Sequence, residues 1–168
     1  MGLLTMLTVE NYLNDIRTNL NKNSDEIIKS FNKLSKVTFS DDTNVLIIDT
    51  PVSVEKIYID LVAFEDMFDP IDVPENTDDY FYDISLATNV FLYGYEEGTD
   101  EERDAFDDFS YENNLEQQTI KEIGSWIKQC LEKSDFTSPY PIYYRVLDEE
   151  NALNLVTGKW EDQEEIVL

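Results

Sequence analysis

Residues 45–64, VLIIDTPVSVEKIYIDLVAF, decide the expected fold, because the hydrophobic pattern of the chain changes here from helical to strand-like. The run Val45–Ile48 is continuously apolar and favours a buried strand, which Pro51 then ends. The stretch 55–64 mixes β-branched and aromatic residues and favours a second strand. Since only a short link separates the two strands, we expect them to pair antiparallel.

Two amphipathic helices are predicted upstream of this stretch, within an N-terminal helical part that covers residues 1–40. Apolar residues recur at helical spacing over 8–21, where Thr8 is the expected N-cap. They recur again over 24–36, where Ser24 is the expected N-cap and acidic residues occupy the first turn. Both helices therefore have an apolar face to pack on the strands.

Downstream, strand-like and helical patterns alternate. The predicted elements are a loop over 65–79, one long strand or a bent pair of strands over 80–95, a short helix over 100–109, a longer helix over 114–133, and strands over 142–147 and 153–157. Thr99 and Glu102 have the spacing of a capping box at the start of the short helix. The order of elements predicts a single α+β domain, 1–168, with a mainly antiparallel sheet, two N-terminal helices and a longer helix near 114–133.

The composition describes a folded but strongly acidic protein. The chain has 37 Asp and Glu against 12 Lys and Arg, a net charge of −25, whereas a small domain needs only about 2–8 net charges for solubility. Apolar residues make up 42% of the chain, and there are 10 Tyr and 9 Phe, which a disordered acidic tail would lack. A positively charged partner or a halophilic habitat could explain the surplus, and the partner is favoured because a halophile usually avoids the lysine that is common here.

The negative charge is concentrated in the acidic central part, residues 60–116. This segment holds 19 acidic residues and one basic residue, Arg103, whereas residues 1–40 have a net charge of +1. A field of a single sign differs from the mixed surface that solubility alone favours, and it steers an oppositely charged partner.

The central acids alternate with aromatic residues, as in DYFYD at 79–83 and FDDF at 106–109. Aromatic side chains would anchor the segment in the core while the carboxylates point outward. Carboxylates on a rigid face can approach the charge density of duplex DNA, about one charge per 1.7 Å of axis. The predicted partner-binding residues are Glu65, Asp66, Asp69, Asp72, Glu75, Asp78, Asp79, Asp83, Glu96, Glu97, Asp100, Glu101, Glu102, Asp104, Asp107 and Asp108.

In size, net charge and acidic–aromatic texture the chain resembles the acidic DNA-mimic inhibitors, many of which are encoded by phages. That broad class includes anti-restriction proteins, anti-CRISPR proteins and inhibitors of uracil-DNA glycosylase. The resemblance implies a non-catalytic inhibitor that occupies the basic groove of a nuclease or another nucleic-acid-binding protein, without itself binding nucleic acid. It assigns no role to an individual residue, and the class has no common fold.

Several kinds of chemistry are excluded or disfavoured by the residues present. The chain has no histidine, one cysteine (Cys130, expected to be buried), and no glycine-rich phosphate-binding motif. Acidic residues recur at intervals of three from Asp66 to Glu75, but Pro70 and Pro74 interrupt the run and an EF-hand would need a central glycine. We predict no enzyme activity, no metal and no cofactor.

Other functions remain open at this stage. The chain could be the immunity protein of a nuclease toxin, or a phage structural or assembly protein whose acidity is incidental; an enzyme is the weakest alternative. The opening MGLLTMLTV lacks the basic region of a signal peptide, and an anionic membrane would repel the protein. We therefore expect a cytoplasmic protein, in the host bacterium if phage-encoded. The sequence does not fix its oligomeric state.

Overall fold

The computed structural model describes residues 2–51, 55–74 and 79–168. Its helices are α1 (Val9–Asn21), α2 (Ser24–Leu34), α3 (Asp100–Asn113) and α4 (Leu115–Lys133), with short 3-10 helices at Leu3–Met6 and Gln163–Glu165. Its strands are β1 (Val45–Thr50), β2 (Lys56–Phe64), β3 (Asp83–Phe91), β4 (Ile142–Val146), β5 (Asn151–Asn154) and β6 (Trp160–Asp162).

The strands form one sheet in the order β3-β2-β1-β4-β5-β6. In the described residues, β1 and β4 pair parallel at the centre, with Ile47 opposite Tyr143, and the other neighbouring pairs are antiparallel. The predicted α+β class and mainly antiparallel sheet are confirmed, as is the antiparallel pairing of β1 with β2. The apolar run of β1 is explained by its central position, because a central strand is covered on both faces.

The helices α1, α2 and α4 pack on one face of the sheet. This face presents Leu46 and Ile48 of β1 and Tyr144 of β4 to the main core, and α4 alone contributes nine buried residues. The neighbouring residues Ile47 and Tyr143 point to the opposite face, as the alternation of strand side chains requires. There they form a smaller cluster with residues of the loop that follows β2.

The N-terminal helices agree with the sequence pattern except at one cap. Thr8 caps α1 by accepting a hydrogen bond from the backbone N–H of Asn11 at 3.2 Å. Ser24 does not cap α2, whose N-cap is Asn23, and the helix ends at Leu34 rather than at residue 36. The Ser24 hydroxyl instead accepts a hydrogen bond from the indole N–H of Trp126 in α4, so α4 takes the oxygen that the prediction assigned to capping.

Three other boundaries differ from the prediction. The region predicted as extended over 80–95 is a strand only at β3, which pairs with β2 through two irregularities in register, while Phe81 instead forms an isolated bridge with Phe39. Helix α3 extends to Asn113, four residues beyond the predicted end. The last predicted strand, 153–157, corresponds to β5 at Asn151–Asn154. It is followed by β6, which was not predicted.

A single residue joins α3 to α4. Asn114 has the left-handed backbone conformation, with φ 51° and ψ 47°, and it is both the C-cap of α3 and the N-cap of α4. Asparagine tolerates this conformation better than most residues. Of the helices in the described part of the chain, α4 included, none has the length and apolar character needed to cross a membrane.

Candidate partner-binding surface

The predicted partner-binding acids fall into two groups at opposite ends of β3. The loop group consists of Glu65, Asp66, Asp69, Asp72, Asp79 and Asp83, and the α3 group consists of Glu96, Glu97, Asp100, Glu101, Glu102, Asp104, Asp107 and Asp108. Glu75 and Asp78 lie outside the described residues. Because β3 has nine residues, its ends are about 26 Å apart, so the acids do not form one continuous field.

Part of the loop group is used to build its own turn. The Asp66 carboxylate accepts hydrogen bonds from the backbone N–H groups of Phe68 at 2.7 Å and Asp69 at 2.9 Å. These bonds hold the pKa of Asp66 below its usual range, and the charge of Asp66 raises the pKa of Asp69. The pair therefore stabilises a local loop conformation, which reduces what it can offer to a partner.

The other end of the loop group lies beside a positive charge. Asp79 and Asp83 line an open groove together with Lys36, which follows α2. The backbone N–H of Phe81 donates to the carbonyl of Thr38 at 2.6 Å, which ties this segment to the same region. Lys36 offsets part of the negative field, so the loop group is the weaker of the two candidate surfaces.

The α3 group is organised by a helix whose start is fixed by its own side chains. The backbone N–H of Thr99 donates to the Glu102 carboxylate at 2.7 Å, and the backbone N–H of Glu102 donates to the Thr99 hydroxyl at 3.3 Å. This is the predicted capping box, and it is confirmed. Glu102 is thus committed to the helix end, while the other acids of the group are exposed.

Aromatic residues fasten α3 to the body of the protein, with Phe106 fully buried and Phe109 partly buried against the core beside it. Phe106 is the buried residue of this helix, and its ring lies 5.2 Å from that of Tyr93, 6.0 Å from Tyr12 and 6.1 Å from Tyr95, centroid to centroid. Alternating acids and aromatics thus have the predicted effect here. Phe106 points inward, and Asp104, with its neighbours on the outer side, faces solvent.

The linear charge density of α3 is close to that of one DNA strand. The helix carries seven acidic residues and one basic residue in 14 residues, which leaves six net negative charges. At about 1.5 Å per residue it is about 21 Å long, or about 3.5 Å per net charge. A single strand of B-DNA carries one charge per about 3.4 Å of axis.

The one basic residue of α3 is turned back on the helix start. Arg103 donates to the carbonyl of Gly98 at 2.5 Å and forms an ion pair with Asp100. Its guanidinium is therefore occupied near the N-terminus of the helix. The stretch from Asp104 to Glu112 has acidic residues and no basic one.

Further acids that were not among the predicted partner-binding residues extend the α3 group. Glu112 follows Asp108 by one helical turn, and it was missed because the helix was predicted to end at residue 109. Glu55, just before β2, accepts a hydrogen bond from the backbone N–H of Glu96 at 2.6 Å. Its place beside the group depends on the pairing of β2 with β3, for which the sequence near Glu55 carries no signal.

Within the α3 group, Asp107 has a defined partner. It accepts a hydrogen bond from the Tyr95 hydroxyl at 2.7 Å, and this bond is the main cause of the raised pKa of Tyr95.

In the described parts of the chain, no three acidic or cysteine side chains are placed to hold a metal ion together. No protein-family model, curated protein or solved structure matches this chain.

Proposed function

We propose that this protein is a non-catalytic DNA mimic of the anti-restriction or anti-CRISPR type, and that α3 is the element that imitates DNA. The observation that carries the proposal is the spacing of charge along α3, about 3.5 Å per net charge against about 3.4 Å for one DNA strand. A rigid helix with this density can enter a groove whose Lys and Arg residues are spaced for phosphates.

The partner would be a basic nucleic-acid-binding protein, with a nuclease or nuclease complex the first candidate. Basic side chains that neutralise DNA phosphates would pair with the exposed carboxylates of α3 instead, and the inhibitor would compete with DNA for the same surface. We place this encounter in the cytoplasm of a bacterial cell, where such a partner meets invading DNA.

The residues available for chemistry support a binding role. The chain has no histidine, so the general acid–base groups most used near neutral pH are absent. Its one cysteine, Cys130, is buried in α4, and burial raises the pKa of its thiol, which disfavours the reactive thiolate. Its acids would also repel a nucleic-acid substrate.

The test is a capture experiment with two variants of equal net charge. The α3 variant carries Asp104→Asn, Asp107→Asn and Asp108→Asn. The control carries Asp41→Asn, Asp42→Asn and Asp135→Asn, which are exposed residues outside α3. Each immobilised protein is exposed to a bacterial lysate at low salt, and duplex DNA is then added.

We expect the wild type and the control to retain a nuclease or another DNA-binding protein that duplex DNA releases. The α3 variant should retain at least tenfold less of it, with unchanged circular dichroism. The proposal is wrong if both variants lose the protein equally, since diffuse charge would then explain binding. It is also wrong if DNA releases nothing.

A further inference from the structure

A cavity of about 270 Å³ lies where the parallel strands β1 and β4 end, between the sheet and helices α1, α3 and α4. Its interior is lined by apolar side chains that include Ile57, Ile123 and Val146. Small-molecule sites are commonly apolar cavities of this kind with a few converging polar groups. The polar groups that line this cavity therefore indicate which kind of ligand it could bind.

Tyr93 provides a polar group without a partner. Tyr93 lines the cavity and is 8% exposed, and its hydroxyl keeps some accessible surface without a hydrogen bond to any residue that the structure describes. Its pKa is raised mainly by burial, and further by the neighbouring Tyr12, Tyr95, Asp107 and Glu55. A ligand that donates a hydrogen bond here would satisfy Tyr93.

The remaining polar groups of the cavity favour a cation. The acidic residues Asp107 and Glu116 are among those that line its exposed side, and no Lys or Arg is among its described lining residues. The rings of Tyr12, Tyr93 and Phe106 lie within 6.0 Å of one another, centroid to centroid, and line the same space. Aromatic rings attract organic cations, most strongly where water is excluded.

We propose that this cavity binds a cationic group on a short alkyl chain, either a primary ammonium or a guanidinium. The apolar interior receives the chain, the aromatic rings and the two carboxylates hold the cation, and the Tyr93 hydroxyl accepts a hydrogen bond from it. The ligand can be a free amine or a Lys or Arg side chain of another protein. The inference does not depend on the proposed inhibitor function, because it rests on the cavity and not on the charge density of α3.

The binding test uses agmatine, a four-carbon chain with a guanidinium at one end and a primary ammonium at the other, and methyl NMR of the isoleucines. Ile57, Ile120 and Ile123 line the cavity, whereas Ile47 points to the opposite face of the sheet. We expect agmatine to shift the three cavity methyls in a saturable way and to leave Ile47 unchanged. Magnesium ion serves as the control for charge alone and should not shift the cavity methyls.

Two variants separate a site from general attraction to an acidic protein. Asp107→Asn with Glu116→Gln should weaken agmatine binding at least tenfold, whereas Asp41→Asn with Asp42→Asn should change it less than twofold. Tyr93→Phe, which removes one hydroxyl, should weaken it about threefold to tenfold. Equal losses in the two double variants, or no saturable shift of the cavity methyls in the wild type, would overturn the proposal.

A second probe distinguishes the two sources of the cation. N-acetylarginine amide has the same guanidinium with a blocked backbone on its chain. If it shifts the same methyls as agmatine, the cavity accepts an arginine side chain of another protein. If only agmatine does so, the ligand is a free amine. Binding of neither compound contradicts both forms of the inference.

Discussion

Helices α3 and α4 follow each other directly in the chain, but their sequences meet different requirements. In α4, three acidic and three basic residues balance, and nine residues are buried against the sheet and the other helices. In α3, six net negative charges accompany one buried residue. The sequence of α4 is explained by folding, whereas the charge of α3 exceeds anything that folding requires. The comparison is therefore a reason to propose α3, and not α4, as the recognition helix.

The charges of the two helices also have opposite effects on stability. In α4, Lys128 and Glu132 form an ion pair one turn apart, and Lys133 lies in the last turn, where the helix dipole favours a cation. In α3, Asp104, Asp108 and Glu112 succeed one another at intervals of four, and the last turn has no basic residue. Each like-charge pair of this spacing costs about 0.2–0.5 kcal/mol. Repulsion among these carboxylates is therefore expected to lower the stability of α3.

The largest predicted effect comes from removing the attachment of α3. Phe106→Ala should lower the free energy of unfolding by about 3–5 kcal/mol, because a buried phenyl ring is replaced by a cavity. Urea unfolding measures the loss. Hydrogen exchange should become fast throughout α3 while the amides of α4 remain protected. If α3 stays protected in this variant, it is held by contacts other than Phe106.

A smaller effect is expected at alkaline pH, through the tyrosine that contacts both helices. The Tyr12 hydroxyl hydrogen-bonds to Thr119 of α4 at 2.5 Å, and its ring packs on Phe106 of α3. Burial raises the pKa of Tyr12 to about 12, although the bond to Thr119 acts in the opposite direction. Above about pH 10 the unfolded chain loses a phenol proton that the folded chain keeps, so stability present below that pH declines until about pH 12.

We expect Tyr12 to contribute about 2 kcal/mol to this decline. Urea unfolding between about pH 9 and pH 12 measures it in the wild type and in Tyr12→Phe, which has no phenol at this position. The variant should lose less stability across this range, although the raised pKa of Tyr93 and of Tyr144 will leave part of the decline. Identical pH dependence in the two proteins would contradict the assignment to Tyr12.

The smallest predicted effects differ in sign between the two helices. Neutralising Asp104, Asp108 and Glu112 with Asn, Asn and Gln should stabilise the protein by about 1 kcal/mol at low salt, because repulsion within α3 is removed. Glu132→Gln in α4 should destabilise it by up to about 0.5 kcal/mol through loss of the pair with Lys128. Both effects should shrink in high salt, and a destabilised α3 variant would disprove the proposed trade-off.

Local signals made much of the fold predictable. The capping box of Thr99 and Glu102 gave the start of α3, and the continuous apolar run from Val45 gave β1. The parallel pairing of β1 with β4 was not predicted, because it joins residues such as Ile47 and Tyr143 that are far apart in the chain. Strand β6 was missed because three residues are too few to show a periodic pattern.

The candidate site was predictable as a set of acids but not as a surface. The segments 65–83 and 96–108 lie on either side of the strand predicted over 80–95, and treating their acids as one surface overlooked that such a strand, β3, separates them by about 26 Å. The role of Asp66 in its own turn also depends on backbone geometry that the residue type does not determine. The composition identified the acidic residues, and the sheet topology placed them in two separate groups.

Asn114 has a consequence for how such a surface can evolve. Because this one residue links α3 to α4, its two backbone dihedral angles set the direction in which the charged helix points. A β-branched residue at this position would be strained in the left-handed region and would favour a different angle between the helices. We expect that substitution of Asn114 alone can change the direction of α3. The same carboxylates would then fit a partner of a different shape.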